Sequence, residues 1–377
     1  MTTRITTGTA ITGQGVWHPD TVLSNAELCA AFNEFVVREN ARNAEAIAAG
    51  TQPALRESTP EFIEKASGIK QRYVADKTGL VDSHRMCPNV AQRPDDALCL
   101  QAEFAVHAAK RALAAAGKTG EDVDLIIVGA SAVQRMYPAV AIEIQHALGA
   151  RGYAFDMLLG CSAATGAVVA AVQAIQAGNA RCALVVDPEF TTGHMNWRDR
   201  DSHFIFGDAS VAFVIEPAAN AKPGAFEILS TRMMSKYSSN IRNNAGYINR
   251  CDPATADAPD KLFYQQGRRV FKDVGPLAAK FISEHLAAHQ LAPADLTRYW
   301  LHQANENLND FITERIMGRP ATRAEAPLIL GEYGNTASAG SLIAFTLHHD
   351  DMKAGDYGII SSFGAGYSLA SLLLQRM

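Results

Sequence analysis

The chain is poor in cysteine, in charge and in long apolar runs, and each shortage excludes something. Its 377 residues hold six cysteines, Cys29, Cys87, Cys99, Cys161, Cys182 and Cys251, with no C-x-x-C pair and no short framework spacing. That scatter argues against a structural zinc site and a disulfide scaffold, and with them against an oxidising compartment. No stretch reaches the ~18 apolar residues of a membrane span. The start, Met1-Thr2-Thr3-Arg4-Ile5-Thr6-Thr7, lacks a charged-then-apolar leader pattern, so a cytoplasmic location is expected. Charged residues make up only 19% of the chain, and the formal net charge is −5. Nothing electrostatic favours nucleic acid or an anionic membrane as partner, and an anionic ligand would need a local basic patch. His348-His349-Asp350-Asp351 resembles a metal run, but adjacent side chains on a helix point apart; it is read as a solvated helix end, and no metal is expected.

What the chain has in quantity is apolar residues, 48% of the total, enough for a large core and a further buried interface. Residues 5–16 read as a first strand. Ser24 then caps a helix with Glu27 three residues on, and residues 33–58 form an exposed helical insertion. Residues 68–74 read as a short edge strand. The run from Ala97 to Ala116 reads as a long helix stopped by Gly117, and Val123 to Gly129 and Tyr153 to Leu159 as buried strands. Alternating helices and strands of this kind predict an α/β protein with its sheet covered on both faces.

An internal repeat organises the rest. Leu113 to Gly129 is matched by Leu286 to His302 at an offset of 173, which carries Asp122 onto Asp295. Cys161-Ser162-Ala163-Ala164-Thr165-Gly166 is matched by Asn335-Thr336-Ala337-Ser338-Ala339-Gly340 at an offset of 174. Each is followed by a helix, by Ala-Gly-Asn or Ala-Gly-Asp, and by an apolar strand. Two copies of one α/β unit, 1–217 and 218–377, are therefore expected, with Pro217 to Pro223 as the seam.

The repeat focuses the chemistry. Cys161 stands in a turn of small residues between a strand and a helix, where free N–H groups and the helix dipole favour a thiolate. The other five cysteines lack that setting. The duplication sets Asn335 opposite Cys161 across a pseudo-twofold axis, and His302 reaches the same mouth from the end of its strand, where ligands of α/β sheets bind. Cys, His and Asn also occur in the papain-like order, with Cys161 and His302 141 positions apart. The Cys-Gly-Ser-Cys-Trp signature is absent, however, and a papain-like fold does not require Asn335 as the counterpart of Cys161.

These residues, with Phe206-Gly207-Asp208-Ala209, Leu301-His302-Gln303-Ala304-Asn305, Gly334-Asn335-Thr336 and Phe363-Gly364-Ala365-Gly366-Tyr367, resemble the thiolase superfamily and within it the 3-oxoacyl-acyl-carrier-protein synthase III group. The resemblance implies a thiolase-like five-layered αβαβα sandwich and a homodimer. It implies a catalytic triad of Cys161, His302 and Asn335, an oxyanion hole from the N–H groups of Cys161 and Ala365, and an acyl pocket involving Phe363 and, across the dimer, Tyr137. The implied substrates are acyl-CoA and malonyl-acyl-carrier protein, with no cofactor. The implied reaction is acyl loading on Cys161 followed by decarboxylative condensation to a 3-oxoacyl product.

Departures from the group fall where the carrier binds. Phe62 and Ala66 replace a tryptophan and an arginine that hold adenine, and Ala66 offers no planar cation. Lys272 matches a lysine of the group, and Arg268 and Arg269 beside it form a basic patch suited to an acidic carrier protein. Tyr137 precedes Pro138 where head-to-head acyl-joining relatives carry a glutamate, which disfavours that activity. A pathway-specific relative using the triad for another condensation or acyl transfer, and a non-catalytic partner subunit, stay open as alternatives.

Overall fold

The computed structural model describes residues 6–244, 253–255 and 258–377; Ile5, at the start of the expected first strand, and Cys251 lie outside them. Among the described residues nine strands form one sheet. In chain order they are β1 (Thr9–Trp17), β2 (Leu125–Ala130), β3 (Tyr153–Leu158), β4 (Ala183–Glu189), β5 (Ala209–Pro217), β6 (Phe226–Ser238), β7 (Leu296–Leu301), β8 (Tyr357–Gly364) and β9 (Gly366–Arg376). Their spatial order is β7-β8-β9-β6-β1-β5-β4-β2-β3.

The order contains the same motif twice. β2 runs parallel to β4, which pairs antiparallel with β5, and β5 antiparallel with β1. β7 runs parallel to β8, which pairs antiparallel with β9, and β9 antiparallel with β6. The two runs meet only through Thr9–Ile11 against Phe226–Ile228. Such a short seam lets the strands fold over into two facing layers.

Between those layers lie the helices Ala163–Gln176 and Gly340–Leu347. The first touches β2, β4 and β5 on one side and β6, β8 and β9 on the other; the second touches β7, β8 and β1. That position explains why both read as apolar all round rather than amphipathic. One core cluster joins Ala164, Val168 and Val172 to Leu342, Ile343 and Phe345. Outside it, helix Leu100–Ala116 covers β1, β4 and β5, while helices Gly267–Ala288 and Glu306–Met317 cover the opposite layer. The result is the five-layered α/β arrangement.

Local signals explain the boundaries. Ser24 and Glu27 form a full capping box on helix Asn25–Arg42, and Gly117, at φ 67°, closes Leu100–Ala116. The expected insertion is less exposed than its composition indicates, because Phe35 and Val36 are buried. β3 departs from expectation more sharply. It was read as a buried strand, yet it lies at the sheet edge with Tyr153, Phe155 and Leu158 exposed. Ala154 and Met157 pack against the core, while the exposed Tyr153, Phe155 and Leu158 leave an apolar outer face. The run at 348–351 ends helix Gly340–Leu347 with Asp350 and Asp351 exposed as expected, but His349 departs from that reading. His349 is buried against Gln14, and Asp351 pairs with Arg298 at 2.7 Å. Among the described residues there is no cluster of three or more groups that could hold a metal, and no helix is long and apolar enough to cross a membrane.

Candidate active site

Cys161 sits in a single tight turn, Gly160–Ser162, between β3 and helix Ala163–Gln176. Gly160 takes φ 52°, a conformation that favours glycine. The opposite wall is the β8–β9 turn. A Cβ on Gly364 would come within 2.7 Å of the Cys161 sulfur, so only glycine admits the thiol there. The main-chain N–H groups of Ala365 and of Cys161 itself both act on the sulfur.

His302 follows β7, its N–H donating to the Ser361 carbonyl at 2.8 Å, and its ring meets Phe363 edge-on with centroids 5.5 Å apart. Burial drives the imidazole down to about 4, opposed by the Ala337 backbone, so the ring is neutral near pH 7. Its Nδ1 is buried without a partner among the described residues.

Asn335 is held through its main chain by Ile205 and Gly207. Its Oδ1 accepts the Ala337 N–H at 2.9 Å. A backbone donor settles which end of the amide is oxygen, leaving the NH₂ as the end free to donate.

Cys161, His302 and Asn335 line one cavity of about 50 Å³, together with Phe206, Phe263 and Phe363. A larger cavity of about 170 Å³ shares Cys161, Phe206 and Phe263, and takes in Ser131, Thr191, Arg242 and Lys261. The motif residues between these groups are structural. Gln303 bridges Leu301 and Ile329, and Asn305 caps helix Glu306–Met317 while donating to the Ala66 carbonyl.

The thiol differs from the sequence-based expectation. Burial pushes Cys161 up to about 11, against the pull of the Ala365 and Cys161 N–H groups, and the charge of Glu189 adds to the rise. An apolar pocket with a charged acid behind it outweighs the start of a helix. Burial also raises Cys29, Cys99 and Cys182, while Cys87 is exposed.

The remaining expected residues lie further out. Arg268, Arg269 and Lys272 are exposed in the first two turns of helix Gly267–Ala288. Tyr137 is 81% exposed and lines neither cavity within one chain. Phe62 carries a cation after all: the guanidinium of Arg200 lies 3.9 Å over its ring centre. Sequence reading missed Arg200 because it stands 138 residues from Phe62, and no local pattern links the two. It also missed Asp187 and Glu189, which sit in an otherwise apolar strand; two acids in such a strand were the available signal.

A half-buried cysteine that shares a cavity with an imidazole and a carboxamide, between two runs of strands that repeat one pairing pattern, fits a thiolase-fold acyltransferase. Residues 155–236 match the family described as 3-oxoacyl-[acyl-carrier-protein] synthase III, and residues 286–376 match its C-terminal region. The chain is 51% identical over 347 residues to the beta-ketodecanoyl-[acyl-carrier-protein] synthase of Pseudomonas aeruginosa, covering 92% of this chain and 99% of that one. It is 29% identical to the beta-ketoacyl-[acyl-carrier-protein] synthase III of Rhodospirillum centenum, over 85% and 91% of the two chains. The structure of the synthase III from Aquifex aeolicus superposes with a TM-score of 0.75 at 24% identity, over 97% and 99%. The chain belongs to the 3-oxoacyl-acyl-carrier-protein synthase III family, the condensing acyltransferases of fatty acid biosynthesis.

Proposed function

We propose that this enzyme loads an acyl group from acyl-CoA on Cys161 and condenses it with malonyl-acyl-carrier protein. The observation that carries this reading is the pairing of two neutral donors on the wall of the Cys161 cavity. The Asn335 amide points its NH₂ outward because Ala337 occupies its oxygen, and burial keeps the His302 imidazole uncharged. Decarboxylation makes a carbanion without removing a proton from carbon, so the step needs donors for an enolate oxygen rather than a strong base.

The steps follow from that arrangement. Cys161 gives up its proton, for which the neutral His302 ring is the base at hand, and the sulfur attacks the thioester carbonyl. The N–H groups of Cys161 and Ala365 hold the oxyanion, the bond to the carrier sulfur breaks, and the carrier leaves as a thiol. Malonyl thioester then places its carbonyl oxygen on His302 and Asn335. The bond to its carboxylate breaks, carbon dioxide departs, and the electron pair forms the enolate. The enolate carbon attacks the acyl group and expels the Cys161 thiolate.

A product named beta-ketodecanoyl in the 51% identical relative corresponds to an eight-carbon primer extended by two carbons, and we assign a medium-chain primer here. Phe62 under Arg200 is a flat cationic platform for the primer's carrier, with Phe363 at the acyl site. Arg268, Arg269 and Lys272 stand near a helix N-terminus, where the dipole disfavours cations. Helix stability does not explain them, and a docking acidic carrier protein does. The repeated strand motif supports reading 1–217 and 218–377 as duplicated halves. Exposed apolar residues on β3 and at Met136 and Tyr137 support a homodimer closed along that edge, with Tyr137 reaching the partner's site.

Intact-mass analysis after incubation with acyl-CoAs of two to sixteen carbons tests the assignment. Loading should peak near eight carbons and vanish in Cys161→Ala. A preference for acetyl would reject the primer, and persistent loading of Cys161→Ala would reject the nucleophile.

A further inference from the structure

Behind the triad lies a buried hydrogen-bond junction with no part in the steps above. Glu189, at the end of β4, is 1% exposed and accepts four hydrogen bonds from two different segments. From the loop after β2 it takes the Ser131 N–H at 2.9 Å and the Ser131 hydroxyl at 2.6 Å. From the turn after Asn335 it takes the Ser338 N–H at 3.1 Å and the Ser338 hydroxyl at 2.7 Å. Ser131 lines the larger cavity beside Cys161. Ser338 directly follows Ala337, whose N–H fixes the Asn335 amide and whose backbone acts on His302.

We infer that Glu189 is a positioning residue for the malonyl half-reaction: it clamps the 335–338 turn against the Ser131 loop and so holds Asn335 and His302 in register with Cys161. The inference rests on the condensing role proposed for those two donors.

Proton counting supports the clamp. The Ser338 hydroxyl has one hydrogen, yet it lies 2.7 Å from Glu189 and 2.6 Å from Asp187 Oδ2. Both contacts are hydrogen bonds only if one acid supplies the second proton. Glu189 has four donors. Asp187 has the Ser338 hydroxyl and the Glu189 carboxyl beside it, and its Oδ1 is buried without a partner among the described residues. The proton therefore sits on Asp187, which donates to the Ser338 hydroxyl, which donates to ionised Glu189. Burial and the adjacent Glu189 charge push Asp187 well above the usual carboxylate range, in agreement. Both acids project from the same face of β4, two residues apart, as strand alternation requires.

The role is one of distance and angle, so it separates from a merely structural one by where the rate is lost. Misplacing a catalytic group by about 1 Å can cost on the order of 100-fold. Glu189→Ala removes all four bonds and should slow malonyl-dependent product formation roughly 10- to 100-fold, while acyl loading on Cys161 is not slowed, because losing the Glu189 charge favours the thiolate. Ser338→Ala, a milder change for the fold, should shift the same step by roughly tenfold. Glu189→Gln can still accept the three bonds made at Oε1 and donate to the Ser131 hydroxyl. It should recover condensation to within about threefold of native, because the clamp works by hydrogen bonds rather than charge.

The assays are single-turnover octanoyl-CoA loading read by mass and 3-oxoacyl formation from malonyl-acyl-carrier protein, with thermal melts for each variant. Three outcomes overturn the inference: Glu189→Ala or Ser338→Ala condensing within about twofold of native, loading and condensation falling by the same factor, or Glu189→Gln as slow as Glu189→Ala. If Glu189→Ala does not fold, Ser338→Ala decides. Failure of the underlying role for the donors looks different, because Asn335→Ala would then condense at the native rate whatever Glu189 variants do.

Discussion

Asn335→Asp is the sharpest test of the donor assignment, because it changes the chemistry of one atom and almost nothing else. In the native enzyme the Ala337 N–H donates to Asn335 Oδ1 at 2.9 Å, so an aspartate can keep that bond with one oxygen. Its other oxygen then stands where the NH₂ was, turning a donor toward the enolate into a negative acceptor. Loss of one preorganised oxyanion donor costs about 100- to 1000-fold, near 2.7–4 kcal/mol, which sets the expectation for Asn335→Ala. Repulsion between like charges in a buried site adds to that, so Asn335→Asp should condense more slowly still. Loading should survive in Asn335→Ala at near the native rate, since its oxyanion is held by main-chain N–H groups. The measurement pairs pre-steady-state acylation, read by mass, with malonyl-dependent release of carbon dioxide. An Asn335→Asp enzyme that condenses faster than Asn335→Ala would refute the reasoning, because the amide would then not be a donor in the slow step. Loss of loading with decarboxylation intact would refute it from the other side.

Two further expectations concern ionisation and assembly. Because Cys161 titrates near 11, its thiolate fraction at neutral pH is small and rises with pH, so the rate of alkylation by iodoacetamide in the free enzyme should climb about tenfold per pH unit from 7 to 10; a plateau already reached by pH 8 would contradict the burial argument. Substituting Phe155→Asp on the open edge strand should convert a dimer to a monomer in light scattering at micromolar concentration, whereas an unchanged mass would place the interface elsewhere.

Most of the fold was legible in the chain itself, and Cys161, His302 and Asn335, singled out there, line one cavity. The repeat could be read because duplicated halves keep the same order of turn, helix and strand, so Cys161 and Asn335 fall at equivalent turns and His302 at an equivalent strand end. Ser24 and Gly117 announced their roles because a cap or a positive φ restricts which residue can stand there. Local chemistry of that kind is written in a few neighbouring residues.

Other features depended on contacts between distant segments. β3 looks like a core strand because its apolar residues are real, but whether a strand is central or at an edge is decided by which neighbours pair with it. The elevated Cys161 thiol follows from desolvation by Phe206, Phe263 and Phe363 and from the Glu189 charge on β4, none of which is adjacent to it in sequence. Arg200 reaches Phe62, and Glu189 joins Ser131 to Ser338, only after segments far apart in the chain fold together. The chain by itself determined which reactive side chains stand at which turns and strand ends, because that information is local. Only the tertiary structure decided how those groups are charged, aimed and held, because dielectric and hydrogen-bond partners come from wherever in the chain the fold brings them.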